Sequence, residues 1–540
     1  MRCALTRRYA PPDGCARRLR PGRLATDRLL QPPAPSWRKL YFYRQPVSLC
    51  GAGGKLKKTR IEGGDPVILC DAPAGRGASW GEDGTIVAAL NSLTFLSLVL
   101  AEGGKAPTPL TELADEESSH RWPQFLPGRK AVLFLTSTTY GGSMDPSGIA
   151  VVSLKDRRRK MVLEHVGIYP RYLTTGQLLY GTKGSLFGIP FDVERLEVRG
   201  ASTALAEIST NPTLGSAQYD VSRNGTLLYL MGMIEKLWTI QRLDSAGRAE
   251  SIVSEPALYG YPRLAPDGTR LAVIESQGVG GHLFVHDPER GSKTRLTNQM
   301  SPSYPLWSPN GEFLVFRAAG GMFWTRSDGA GQAQSLTQSK RHQVPCSFTP
   351  DGRRLVFAEA IPAGGAEIRV VPIESGSGQM HAGDPQPLLK TATLEVYASI
   401  SPDGRWIAYA DAEGGSYEVY VRAFPDNGAT RVHVSNAGGM IPIWSRNRNE
   451  LFYRTEDQRI MVVNYIVKGD SFVPETPRLW SGKQLANSGT GRNYDVAPDG
   501  KRCVVLMPVG GVGPRETQSH ITLVVNFLDE VRRRFTGQAK

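Results

Sequence analysis

The chain has 540 residues, with 59 Gly, 38 Pro, 40% hydrophobic and 21% charged positions, which is too long for one ordinary compact core and has the turn-rich balance of an all-β protein. Its formal charge of +13 is held by the first 60 residues, where 15 Lys/Arg face only Asp13 and Asp27, leaving 49 charges of each sign in the remainder. A body without net charge argues against nucleic acid as the main partner, because that role needs clustered cations on the folded surface.

Residues 1–37 are rich in Arg and Pro and show no alternating apolar pattern, so they read as a basic disordered arm or as a misplaced gene start. No continuous apolar segment of a secretory signal occurs there, which makes the cytoplasm the default compartment. The next stretch, "KLYFYRQPV" at 39–47, alternates and predicts a strand. At 77–84, "GASWGEDG" contains a formal G-x-S-x-G, with Gly77, Ser79 and Gly81. A nucleophile elbow needs a strand, a strained turn and then a helix. Beyond Ser79 come an Asp-Gly turn and the β-rich run "TIVAAL", so Ser79 is read as a strand residue. The uncharged run 85–101 is 17 residues long and holds Asn91, Ser92, Thr94 and Ser97. It predicts two strands joined by a turn rather than a membrane span.

From Ser79 onward the chain repeats itself. The words "WGEDGTIVA", "LAPDGTRLAVI", "WSPNGEFLVF", "FTPDGRRLVF", "ISPDGRWIAY" and "VAPDGKRCVVL" align on one turn position. Ten copies place Gly84, Arg129, Gly176, Gly225, Gly268, Gly311, Gly352, Gly404, Arg448 and Gly500 there, 41 to 52 residues apart. Four residues before and three after that position, every copy is apolar. Asp-Gly and Asn-Gly supply the positive φ of a hairpin, the flanks alternate between two faces, and the spacing is that of a four-stranded propeller blade. The fold class is therefore an all-β propeller, with two rings. "QYDVSRNGTLLYL" at 218–230 echoes "NYDVAPDGKRCVVL" at 493–506, as though two rings ended on related blades. This divides the chain into the arm 1–37, an incomplete N-terminal propeller 38–240 of four to five blades, a six-bladed C-terminal propeller 241–530, and a basic tail 531–540. Near the end, "NFLDEVRRRF" predicts one short helix.

Seven residues before the turn position stand Trp122, Tyr169, Tyr261, Tyr304 and Tyr397, and Arg263 follows Tyr261 on the same strand face. Packing between blades accounts for such a series, and so does a binding surface, where Tyr, Trp and Arg are enriched. Six cysteines, at 3, 15, 50, 70, 346 and 503, have neither zinc-ligand nor disulfide-framework spacing, and "DAEGGSYE" at 411–418 is not the twelve-residue calcium loop. No cofactor, metal or catalytic residue is expected.

The repeats resemble TolB-type, WD-repeat-like propeller repeats, whose core word is "SPDG". The stretches "GGKLKK", "RGASWGEDGTI", "SSHRWPQFLPGRKAVLF", "SPDGRWIAYA", "YEVYVRAFP", "PIWSRNRNELFYR" and "NYDVAPDGKR" are similar, over about residues 51–530, to the C-terminal propeller tail of bacterial serine/threonine protein kinases. The Gly-rich loop, the lysine strand, the H-R-D loop and D-F-G of a kinase are all missing, so the resemblance implies a non-catalytic domain. It would be extracytoplasmic if it derives from a membrane-anchored kinase. An interaction or sensory module that binds a protein, peptide or small ligand is the leading expectation. Its alternatives are a propeller-borne hydrolase or lyase, and the gating propeller of a prolyl-oligopeptidase or tricorn-like peptidase.

Overall fold

A computed structural model describes the backbone of Thr6–Arg7 and Lys39–Phe42 and then residues 55–536, apart from short stretches of which 60–65, 138–145, 231–236 and 510–520 are the longest. The rest of the arm 1–37 and the tail from 537 lie outside the described residues.

The "SPDG" word explains itself in the hairpin it makes. At 401–406 the Gly404 N–H donates to Ser401 O at 2.9 Å, and the Ser401 N–H donates to Trp406 O at 2.9 Å. Ser401 Oγ accepts the Trp406 N–H at 2.9 Å, while Asp403 Oδ1 accepts the Arg405 N–H at 3.1 Å. Pro402 presets the first turn angle, and Gly404, at φ 71°, takes the left-handed residue that closes the loop. Nine of the ten turn positions have positive φ, including Arg129 at 52°. Arg448 is the exception, and its loop is tightened instead by the Glu450 N–H donating to Arg448 O at 2.8 Å.

Each turn joins the two inner strands of an antiparallel sheet. In the second ring six sheets follow one another, here blades I to VI. Blade I begins with residues 258–264, blade II with Ser303–Trp307, blade III with Gln343–Phe348, blade IV with Glu395–Ile400, blade V with Met440–Trp444 and blade VI with Tyr494–Val496. Every inner strand packs on the next, and that of blade VI packs on blade I, so the ring is closed. One buried apolar cluster runs through all six and includes Tyr261, Tyr304, Cys346, Ala398, Ile441 and Tyr494. This is the six-bladed C-terminal propeller that the repeats predict.

Among the described residues the first ring contains five blade sheets, besides the short pair Thr210–Asn211 and Ser216–Ala217. Lys39–Phe42, Lys55–Thr59 and Val67–Asp71 form the first, which packs Leu56 and Leu69 against Ile86 and Val99 of the sheet that starts at Ala78–Trp80. Thr85–Ala88 and Ser97–Leu100 are the two strands expected in the uncharged run. Sheets starting at Ser119–Phe125, Ile168–Leu173 and Tyr219–Val221 come next.

The two rings interlock through their last blades. Trp238–Asp244 and 249–257 complete blade VI, where Trp238 pairs with Pro508 and Asp244 with Arg502. Ile521–Val524, which lies inside 241–530 by sequence, pairs instead with Leu227–Leu230 of the first ring, and Thr6–Arg7 runs parallel along its other edge. The helix Phe527–Thr536 buries Phe527 and Val531 in the apolar cluster of Leu179, Tyr219 and Leu227.

Candidate functional site

At the position seven residues before the turn, the inner strands carry a bulge in which two residues oppose one across the ladder. Trp122, Tyr169, Tyr261, Tyr304 and Tyr397 all occupy it with φ between 53° and 58°, an arrangement that β-bulges use to re-aim a side chain. Ile441 holds the same place in blade V at φ 57°, and Gly77 holds it at 99°. Pro follows Trp122, Tyr169, Tyr261, Tyr304 and Ile441, where its missing N–H is no loss to the interrupted ladder.

The bulge turns these aromatic rings toward one another in two separate groups. In the first ring Trp122 and Tyr169 stand 5.1 Å apart edge-on, and Tyr169 and Tyr219 5.4 Å. In the second, Tyr261 and Tyr304 are 4.5 Å apart and Tyr304 meets His342 edge-on at 6.5 Å. Trp122, Tyr169, Tyr261 and Tyr304 are buried, whereas Tyr397 and Tyr417 are partly open. Burial raises the Tyr417 phenol, and the nearby Tyr397 and Asp411 push the same way, against Arg76 of the first ring. Burial also holds the His342 imidazole well below its ordinary range, helped by the positive charge of Arg317.

Two residues further along, side chains tie neighbouring blades together. Ser79 Oγ accepts the Phe125 N–H at 3.1 Å, Gln124 Oε1 that of Tyr172 at 2.7 Å, Ser347 Oγ that of Ile400 at 3.1 Å and Asp495 Oδ2 that of Leu264 at 2.9 Å. These acceptors share one repeat position. Ser79 is thus a link between blades, which answers the formal elbow motif. Trp307 and Trp444 add to the same seam by donating Nε1–H to Arg263 O and Ser399 O, each at 2.9 Å.

Arg263 occupies that acceptor position in blade I, and its side chain does something different. It reaches across the channel to blade III, where Nη2 stands 3.5 Å from Cys346 O. Burial in the channel, then the charge of Arg492, lower its pKa to about 9, while Asp495 opposes them and Arg446 adds to them. Arg492 of blade VI sits 3.5 Å from Asp495 Oδ1, and its Nη1 is buried without a hydrogen-bond acceptor among the described residues. From blade V, Arg446 spans the turn-side mouth to donate to Pro266 O of blade I. Burial raises the Cys346 thiol, so it stays neutral beside these cations.

Two further features lie off the channel. Thr111 Oγ1 contacts His120 Nδ1 at 2.7 Å and Glu117 Oε2 contacts His120 Nε2 at 3.1 Å, which has the outline of a catalytic triad. All three are buried, and Thr111 Oγ1 accepts the Leu96 N–H in the same way that Thr297, Thr337 and Ser435 accept those of Leu283, Met322 and Val419. The set is a repeat brace. A cleft of about 590 Å³ on the turn side of blades V and VI is lined by paired charges, among them Arg248 with Asp244 and Arg502 with Asp499.

The sequence positions are therefore split by the structure. It brings Tyr261, Arg263, Tyr304 and Tyr397 to one channel and Trp122 and Tyr169 to another. Arg492, Arg446, Arg317, His342 and Tyr417 join the second channel without any repeat signal to announce them.

No family model matches the chain. It is 27% identical over 168 residues to an uncharacterized peptidase, YuxL, of Bacillus subtilis (strain 168), covering 30% of this chain and 24% of that one. With a TolB homolog of Chlorobium chlorochromatii (strain CaD3) it shares 32% over 101 residues, 18% of this chain and 23% of the relative. It thus spans about a quarter of the length of the curated relatives it matches. Among solved structures, TolB from Acinetobacter baumannii aligns with 64% of this chain and 80% of its own at 14% identity and a TM-score of 0.34. The tricorn protease aligns with 84% of this chain and 56% of its own at 12% identity and a TM-score of 0.31.

Proposed function

We propose that this chain is a binding module whose protein or peptide ligand docks at the end of the second-ring channel where Tyr261, Tyr304, Tyr397 and Tyr417 gather. The observation that carries this reading is the pairing of partly open with buried phenols. Tyr397 and Tyr417 are half-buried, while Tyr261 and Tyr304 are buried, and Tyr261, Tyr304 and Tyr397 are all held by the bulge backbone. Rigid amphipathic side chains of this kind give contact area at little entropic cost. The kinase-tail resemblance suggests that such a module serves a serine/threonine kinase-like protein as its sensory part. A peptidase-gating role draws support from the stretch shared with YuxL and would require a catalytic domain elsewhere.

A photo-crosslinking residue at position 397, compared with one at Ser335 on the exposed outer strand of blade II, tests the reading. Position 397 should capture a discrete adduct from source-cell extract that excess unmodified chain competes away and Tyr417→Ala abolishes. Equal capture at both positions, or none at 397, would overturn it.

A further inference from the structure

The two rings contain one natural comparison. Arg171 and Arg263 hold the same repeat position, five residues before Gly176 and Gly268, and Asp220 and Asp495 hold it in the two closing blades. In the first ring the arginine is compensated. Arg171 donates to Pro170 O at 2.8 Å, its guanidinium lies 4.0 Å from the centre of the Tyr169 ring, and Tyr169, Asp220 and Tyr219 together raise its pKa against the effect of burial.

The second ring lacks that balance. The charges of Arg492 and Arg446 both bear on Arg263 at the turn-side half of the channel, and among the described residues Asp495 is the carboxylate that opposes them there. One oxygen of that carboxylate is committed to the Leu264 N–H at 2.9 Å, and the other faces Arg492 at 3.5 Å. Arg263 has only a 3.5 Å contact to Cys346 O among the described residues, and Arg492 Nη1 is buried without an acceptor. Each guanidinium offers five donors in a planar fork that fits two oxygens at once. Leaving a buried donor such as Arg492 Nη1 unmet is costly unless something completes it, and the half-buried Arg263 has donors to spare beside it.

We propose that the turn-side half of the second-ring channel is an oxyanion site, in which Arg263 and Arg492 grip a carboxylate or phosphate group of the ligand. Arg446 closes the mouth behind it and supplies the third positive charge. The site rests on the binding reading above and deepens it, since an extended ligand entering past the tyrosines would end its path between these arginines. Paired arginines prefer flat or tetrahedral oxyanions to chloride because the fork is matched bidentately.

The test uses the full chain, with inorganic phosphate in one arm, citrate in a second and chloride at matched ionic strength as the reference. Calorimetric titration should show saturable binding of phosphate or of citrate, and whichever binds identifies the group. Arg263→Gln and Arg492→Gln should each weaken that binding at least tenfold, Arg263→Lys should weaken it less, and Arg171→Gln should leave the affinity unchanged. Thermal melts of each variant confirm that it is folded; should a Gln variant unfold, the wild-type titration and Arg263→Lys still decide. No saturable binding above chloride, or wild-type affinity in both Gln variants, would overturn the proposal. Crosslinking at 397 reports on the docking reading independently, so either can fail while the other stands.

Discussion

Several buried histidines give single residues control over acid stability. Burial first, then the charge of Arg159, keeps His120 below its ordinary range despite Glu117, and burial with Lys293 takes His286 down to about 4. His342 is lowered in the same direction by burial and Arg317. Glu117 is also depressed, to about 2: burial would raise it, but the His120 ring, the Ala114 N–H and Arg159 outweigh that. All four shifts act with one sign. Below pH 6.5 the unfolded chain takes up protons that the folded imidazoles refuse, and below about 4.5 the same holds for Glu117, so folding stability falls as pH falls. Each refused proton is worth about 1.4 kcal/mol per pH unit. Urea unfolding between pH 7.5 and 5 should therefore show stability declining on acidification, with the slope smaller by about one proton in His342→Gln. A flat or rising wild-type profile across that window would contradict these assignments.

At the scale of strands, the turn words were legible because Ser, Pro, Asp and Gly each have a separate backbone task in one hairpin, as Ser401 to Gly404 show. The bulge was legible only as a column of aromatics. Their positive φ was not, although the Pro after four of the five gave a sign of it. Pairing partners were hidden for a different reason. Trp238–Asp244 and Ile521–Val524 each follow one of the two echoed blade words, yet β patterning says which face a residue takes and not which distant strand it joins. Ile521–Val524 lies nearly three hundred residues from its partner Leu227–Leu230. The channel arginines were hidden likewise, because Arg263 has a repeat position but Arg492 and Arg446 acquire meaning only where blades VI, I and V converge. The strand exchange makes a prediction. A chain ending at residue 508 loses Ile521–Val524 and with it the buried Phe527 and Val531, whose side chains alone are worth about 4 kcal/mol by apolar burial. Limited proteolysis of that truncation should cut within 55–230 and spare 238–508. Equal resistance in both regions would show that the returning strand does not hold the first ring.

For the whole molecule, the pairings make the two rings unequal in how they depend on the chain. The second ring draws all six sheets from 238–508, and the ends of that span lie side by side, because Trp238 pairs with Pro508 between the two middle strands of blade VI. Its closure is thus a property of this segment alone: the third strand of the last blade comes from the segment's start and the first two from its end. Propeller blades cannot bury their faces singly, so a ring closed in this way should unfold as one unit. The first ring is assembled from both sides of the insertion, with Leu227–Leu230 before it and Ile521–Val524 after it. Expressed by itself, 238–508 should give a monomeric β-rich protein with a single cooperative melt and the same oxyanion affinity as the full chain, since Arg263, Arg446, Arg492 and Asp495 all lie within it. Residues 51–236 alone should expose the unpaired edge of Leu227–Leu230, with the apolar surface that Phe527 and Val531 cover, and aggregate, because an uncovered apolar strand edge is a template for another chain. If 238–508 is unfolded in isolation, ring closure depends on contacts with the first ring, and the account of the second ring as a self-sufficient insertion fails.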